Sequence, residues 1–174
     1  MKYLALALMG NNRLDVLNDL VKYVTSCGCN IVECQANDMG KEWVATFFLS
    51  GTWNALAKLE TNLPTFEKKH ELKILSSRTE LPEPEPEKLP YTVYVVAQDR
   101  PGILEEVLNF LIQEGVELKD YHGHTYLGRF TKANMITLTI NVTIPAERLI
   151  SEIRERFILF CDDLNLDATM EPDK

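Results

Sequence analysis

One short segment combines residue types that could bind a small anion at a helix start: Asp99, Arg100, Pro101 and Gly102. It joins a β-branched, aromatic run to an amphipathic run that begins at Ile103, which predicts a strand-to-helix corner. The first N–H groups of a helix have no intrahelical partner and lie at the positive end of its dipole. Because a glycine leaves them unshielded, a small carboxylate could reach the N–H groups of Gly102, Ile103 and Leu104. We expect Asp99 to cap this helix and Pro101 to lie in its first turn.

The same segment also has a simpler interpretation. Asp, Pro and Gly are typical of tight, capped turns that bind nothing. Local sequence alone therefore leaves two alternatives open, an anion site and a folding element.

The spacing of the cysteines and histidines does not indicate a metal site or a catalytic site. Cys27, Cys29 and Cys34 resemble half of a zinc site, but structural zinc sites use two closely spaced ligand pairs, and the chain offers no second pair at a credible distance beyond His122 and His124. None of the three histidines belongs to a catalytic motif. We therefore expect no metal, no cofactor and no enzymatic activity.

Composition restricts the class of protein. The 174 residues are 45% hydrophobic, enough for one ordinary domain or two small ones. The net charge of −8 is concentrated in residues 91–174, which hold eight basic and fourteen acidic residues. Nucleic-acid binders usually show a basic face, so this balance argues against direct binding of nucleic acid.

The first twenty residues do not have the pattern of a signal peptide or a membrane span. Four cysteines without an export signal predict reduced thiols in the cytoplasm.

A proline-rich segment divides the chain. Pro82, Pro84, Pro86 and Pro90 alternate with glutamates, and proline disfavours both helix and sheet ladder while like charges keep the chain extended. We predict a domain at residues 1–80, a linker at 81–90 and a second domain at 91–174.

The sequence patterns of the two halves predict the same order of elements, and corresponding residues are 87 positions apart. In the first half they are a strand at 3–9, a helix at 13–27, strands at 30–38 and 42–50, a helix from Thr52 to 64 and a strand at 71–77. In the second they are a strand at 91–98, a helix at 101–115, strands at 116–126 and 133–144, a helix from Pro145 to 164 and a strand at 166–170. Leu14 and Ile112 are assigned to buried helix faces, and Trp53 is expected to be a packing anchor.

Two βαββαβ units define the predicted fold class. The chain is α+β, with two ferredoxin-like βαββαβ domains in tandem, each an antiparallel sheet with both helices on one face. One face of each sheet stays uncovered, so we expect the two copies to associate as a pseudo-dimer, and a homodimer of the whole chain is open to the same surfaces.

Several motifs carry a family resemblance. Tandem βαββαβ units whose first strand ends in Asp-Arg-Pro-Gly-Ile resemble ACT domains, which implies amino-acid binding between paired copies. Further stretches resemble the glycine cleavage system transcriptional repressors, and they are "SCGCNI" (26–31), "MGKEW" (39–43), "LSGTWNAL" (49–56) and "LP" (63–64). That resemblance implies a repressor with no DNA-binding domain of its own. It would contact a LysR-type activator of the glycine cleavage operon and be modulated by glycine or another small amino acid.

The first corner departs from the family pattern. Where the family usually repeats Asp-Arg-Pro-Gly, this chain has Asn12, Arg13, Leu14 and Asp15. Asn12 and Arg13 are candidate ligand-binding residues only by this correspondence. Because Asp15 would repel a ligand carboxylate, we expect the second corner to keep the ligand site, and the first to have lost it or to have kept only a folding role.

Two other functional classes stay open at this point. One is an amino-acid-binding regulatory subunit of a metabolic enzyme, which needs only the same paired fold. The other is direct nucleic-acid binding by a ferredoxin-like sheet, which needs aromatic and basic residues on the central strands. "YTVYVV" (91–96) and "MITLTI" (135–140) do not have that signature, so this class ranks last.

Overall fold

A computed structural model of the chain describes residues 1–11, 14–81, 88–130 and 132–173. The chain divides into two compact units, residues 1–83 and 84–174. Most of the predicted linker, including Pro82, Pro84 and Pro86, lies outside the described residues, as do Asn12 and Arg13.

The first unit contains six elements. They are β1 (Lys2–Asn11), α1 (Leu14–Ser26), β2 (Asn30–Met39), β3 (Glu42–Gly51), α2 (Trp53–His70) and β4 (Lys73–Thr79). The strands form an antiparallel sheet in the order β2-β3-β1-β4. Leu4, Leu6 and Leu8 alternate inward along β1, and both helices contribute to the core on that face.

The second unit repeats this arrangement. Its elements are β5 (Lys88–Gln98), α3 (Ile103–Gln113), β6 (Glu117–Leu127), β7 (Asn134–Pro145), α4 (Ile150–Asp163) and β8 (Asp167–Pro172). The sheet order is β6-β7-β5-β8, again antiparallel. The predicted fold class, two tandem ferredoxin-like βαββαβ units with helices on one face of each sheet, is confirmed.

Helix boundaries differ from the sequence prediction where proline is involved. Helix α2 continues through Pro64 to His70, because Phe66 is buried and its packing outweighs the lost hydrogen bond. Helix α4 begins at Ile150, since Pro145 instead ends β7 and pairs with Lys88. Pro90 was assigned to the linker but lies in β5 opposite Thr143. The pairing of β5 with β8 begins only at Tyr91. Pro90 therefore lies before the β8 ladder, at a position where a residue without an N–H is tolerated.

Two predicted buried side chains are exposed. Leu14 is 78% exposed and Ile112 is 69% exposed. Helix α1 instead buries Val16, Leu20 and Val24, so the buried stripe is rotated from the predicted one.

Candidate functional site

The second strand-to-helix corner spans Asp99 to Gly102, between the end of β5 and the start of α3. The backbone N–H of Asp99 donates to the carbonyl oxygen of Asn134 at 2.8 Å, which fixes the corner to the start of β7. Ile103 is 1% exposed and anchors the other end in the core. A rigid scaffold therefore holds an exposed turn on both sides.

Gly102 gives the corner its shape. Its φ of +96° is disfavoured for residues with a side chain. Its carbonyl oxygen accepts from the N–H of Glu106 at 2.9 Å and so starts the helix. The helix cap makes no side-chain hydrogen bond, so the prediction that Asp99 caps α3 is wrong. The positive φ turns the chain at Gly102, so the cap lies three residues after Asp99, and α3 begins at Ile103, two residues after the predicted start at Pro101.

Arg100 is engaged by a carboxylate of its own chain. Its guanidinium donates to both carboxylate oxygens of Glu106, with Nη1–Oε1 and Nη2–Oε2 distances of 2.9 and 2.6 Å. This hydrogen-bonded pair raises the pKa of Arg100 and lowers the pKa of Glu106. An external carboxylate at this corner would have to share or displace Glu106 to reach Arg100.

The six predicted residues of this corner therefore divide into two groups. Asp99, Arg100, Pro101 and Gly102 are exposed, whereas Ile103 is buried and Leu104 is half-buried. A ligand could meet Ile103 and Leu104 only at their backbone N–H groups. Glu105 and Glu106 place two acidic side chains in the first helical turn, and these partly offset the helix dipole that would attract an anion.

The described residues on either side of the first corner differ from those of the second. Helix α1 starts at Leu14, and Asp15 lies in its first turn. The indole Nε1 of Trp43 donates to the carbonyl oxygen of Asn11 at 2.6 Å, so a buried tryptophan fixes the strand end. Trp43 is 4% exposed and Trp53 is 66% exposed. The packing role expected for Trp53 belongs to Trp43, because the side chain of residue 43 is on the face of β3 that packs against the helices.

The cysteine side chains are free thiols in different environments. Cys27, Cys29 and Cys161 are buried, whereas Cys34 is exposed. Burial raises the pKa of Cys29, and it raises that of Cys161 to about 12. Among the described residues, no group of three or more His, Cys, Asp or Glu side chains is arranged to hold a metal ion. No helix in the described ranges is long and apolar enough to cross a membrane.

Comparison with known proteins adds three likenesses. The ACT domain family model matches residues 2–76. The glycine cleavage system transcriptional repressor of Escherichia coli (strain K12) is 26% identical over 168 residues, covering 97% of this chain and 88% of the relative. A crystal structure assigned by name to the same repressors has a TM-score of 0.73 at 23% identity and covers 99% of this chain and 98% of its own.

A further solved structure shows how far the fold extends. An unknown protein from Galdieria sulphuraria has a TM-score of 0.77 at 17% identity, with 99% of both chains covered. At such identities, the two solved structures establish the shared fold of both units and no more. The match to the ACT domain family model lies within the first unit, whereas the similarity to the E. coli repressor extends over both units.

Proposed function

We propose that this chain, which has two ACT-type units and resembles the glycine cleavage system transcriptional repressor along 97% of its length, represses the glycine cleavage operon by binding another protein. The partner is a LysR-type activator of that operon, and glycine or another small amino acid modulates the contact. The similarity along both units and their junction is the observation that carries the proposal. The chain acts in the cytoplasm.

Charge supports a protein partner over a direct DNA contact. The net charge is −8, and residues 91–174 carry fourteen acidic against eight basic residues. Neutralisation of phosphates by Lys and Arg supplies most of the affinity in DNA binding. A chain with this balance is better suited to binding a DNA-binding protein than DNA itself.

The second corner is the proposed amino-acid site. The turn Asp99–Gly102 is exposed and held at both ends, and the N–H groups that follow it suit a carboxylate. In this proposal the glycine carboxylate binds these N–H groups, while Arg100 stays paired with Glu106. Asp15 places a carboxylate in the corresponding first turn of α1, which disfavours a second anion there.

Complex formation tests the partner. The purified chain and the purified activator are mixed, and sedimentation velocity is measured with and without glycine. We expect a complex that glycine weakens, while the chain alone does not shift operator DNA in a gel. A DNA shift by the chain alone would contradict the proposal. So would co-purification with a metabolic enzyme in place of the activator, which would favour the alternative, an ACT-type regulatory subunit.

Calorimetry tests the amino-acid site. Gly102→Asp adds both backbone strain and a carboxylate, whereas Gly102→Ala adds the strain alone, so the pair separates charge from folding. We expect saturable glycine binding in the wild type and in Gly102→Ala, and none in Gly102→Asp. Asp15→Asn should add a second, weaker site. Equal glycine affinity in Gly102→Asp and Gly102→Ala would place the site elsewhere.

A further inference from the structure

The open sheet faces of the two units differ in shape. On the face of the first sheet away from its helices, Ala5 lies between Phe48 and Ser77, and Ala7 lies between Thr46 and Leu75. Two small residues on the central strand with larger ones on both sides leave a hollow of about 400 Å³. That volume is within the range of small-molecule sites.

The hollow has a defined wall and rim. Phe48 stacks on Tyr3 with ring centroids 5.2 Å apart and planes 9° from parallel, which supports one wall. Leu75, opposite, is 75% exposed. Glu33 and Cys34 line the edge formed by β2. An apolar molecule in the hollow would bury aromatic and aliphatic surface, at about 25 cal/mol per Å² removed from water.

The second unit fills the corresponding place. At the same sheet positions, Thr92 and Tyr94 stand where the first unit has Ala5 and Ala7. Thr92 Oγ1 lies 2.9 Å from Asn141 Oδ1, and Asn141 Nδ2 donates to Asp120 Oδ1 at 2.8 Å. This row is polar and hydrogen-bonded within itself. The hollow therefore comes from particular residues of the first unit and is not a general consequence of the fold.

The charge of the residues that line the hollow favours one kind of ligand. Glu33 is the charged residue among those lining the hollow, and within the described residues it has no hydrogen-bond or ion-pair partner. Its counterpart in the second unit, Asp120, accepts a hydrogen bond from Asn141. An unpartnered carboxylate beside apolar surface favours a cation over an anion. An exposed ion pair is weak by itself, so the apolar body has to supply most of the affinity.

We propose that the hollow on the open sheet face of the first unit binds an apolar amine, with its apolar body between Phe48 and Leu75 and its ammonium beside Glu33. This site is separate from the glycine corner. The chain would then bind a second ligand, chemically different from glycine, on the surface of the first sheet.

The probe for this site is 2-phenylethylamine, with two matched comparisons. 3-Phenylpropionate has a similar apolar body with a negative charge, and methylamine has the charge without the body. Binding to the full chain is measured by calorimetry. Occupancy is located by the rate at which a disulfide reagent labels a Gln35→Cys variant made in a Cys34→Ser background. Gln35 pairs with Thr46 on the open face, whereas Cys34 pairs with the buried Phe47.

We expect 2-phenylethylamine to bind at least ten times more tightly than either comparison compound and to slow the labelling of the Gln35→Cys variant. Ala7→Tyr copies Tyr94 of the second unit, fills the hollow and should abolish binding. Glu33→Gln should reduce the preference for the amine over 3-phenylpropionate at least threefold. Asp120→Asn, the matched control in the second unit, should leave binding unchanged.

Three results would overturn the proposal. The first is amine binding of equal strength in Ala7→Tyr. The second is an unchanged rate of labelling of the Gln35→Cys variant at saturating amine. The third is protection of the Gln35→Cys variant that rises with protein concentration in the absence of amine and disappears when Ala7→Tyr is added, because the occupant would then be a second copy of the chain. None of these depends on the activator or on glycine, so failure here is distinguishable from failure of the proposed function.

Discussion

Replacement of Gly102 by alanine gives a sharp test of how the second corner is built. The φ of +96° lies beyond the left-handed helical region, which is centred near +57°. A residue with a side chain in such a conformation costs about 1–3 kcal/mol. A Cβ at this position would lie 3.7 Å from Glu106 Oε1, an ordinary contact, so no steric clash adds to that cost. Alanine also restricts the unfolded chain, which returns about 0.4–1 kcal/mol.

The net expectation for Gly102→Ala is a loss of about 1–2 kcal/mol of stability in the second unit, from the difference of these two effects. For a domain of this size, that corresponds to a fall in melting temperature of roughly 5–15 °C. The matched control is Gly51→Ala. Gly51 does not have a positive φ, and its Cβ would make contacts of 3.4–3.5 Å. This control should stay within about 1 kcal/mol of the wild type.

The positions of the tryptophans make the assay specific for one unit. Trp43 and Trp53 are the two tryptophans of the chain and both precede residue 83. Tryptophan fluorescence therefore follows unfolding of the first unit, whereas far-ultraviolet circular dichroism follows both. Gly102→Ala should shift part of the dichroism transition and leave the fluorescence transition in place. An unshifted dichroism transition would show that the corner does not require a positive φ, and the strain argument would fail.

Two further predictions concern stability. Thr52→Ala removes the side-chain oxygen that accepts from the N–H of Ala55 at 3.1 Å, and should lower the stability of the first unit by about 0.5–2 kcal/mol, measured by tryptophan fluorescence in urea; an unchanged midpoint would contradict the capping role. Burial raises the pKa of Cys161 from 9.0 to about 12, so the folded state holds this proton more tightly than the unfolded state does. The contribution of this thiol to the free energy of unfolding is fully present below pH 9 and is lost as the pH rises toward 12. The dichroism midpoint in urea should fall less steeply over this range in Cys161→Ala than in the wild type, and parallel curves would refute the assignment.

Local signals were sufficient for the order of elements and for one helix cap. The alternation of Leu4, Leu6 and Leu8 predicts β1 whatever the rest of the chain does, because strand periodicity is a property of neighbouring residues. Thr52 is the predicted start of the second helix, and its side chain caps α2 by accepting from the N–H of Ala55. Asp99 matched the same capping pattern and does not cap α3, because Gly102 changes the direction of the backbone before the helix begins.

The geometry of the candidate sites depended on contacts that sequence distance hides. The pairing of Arg100 with Glu106 links residues on either side of the turn, so it exists only once Gly102 has brought the turn and the helix together. The hollow between Phe48 and Leu75 needs both outer strands in register with β1. In the sequence, Ala5 and Ala7 are ordinary small residues of a strand.

The sequence by itself determined the repeated βαββαβ order, the acidic balance and the position of the two corners, since each follows from local periodicity, composition or turn residues. The tertiary structure alone decided which side chains are available at those positions. It buried Trp43 and exposed Trp53, paired Arg100 with Glu106, and left the hollow over Ala5 and Ala7. Those outcomes depend on strand register and helix docking, which are set by many distant contacts at once.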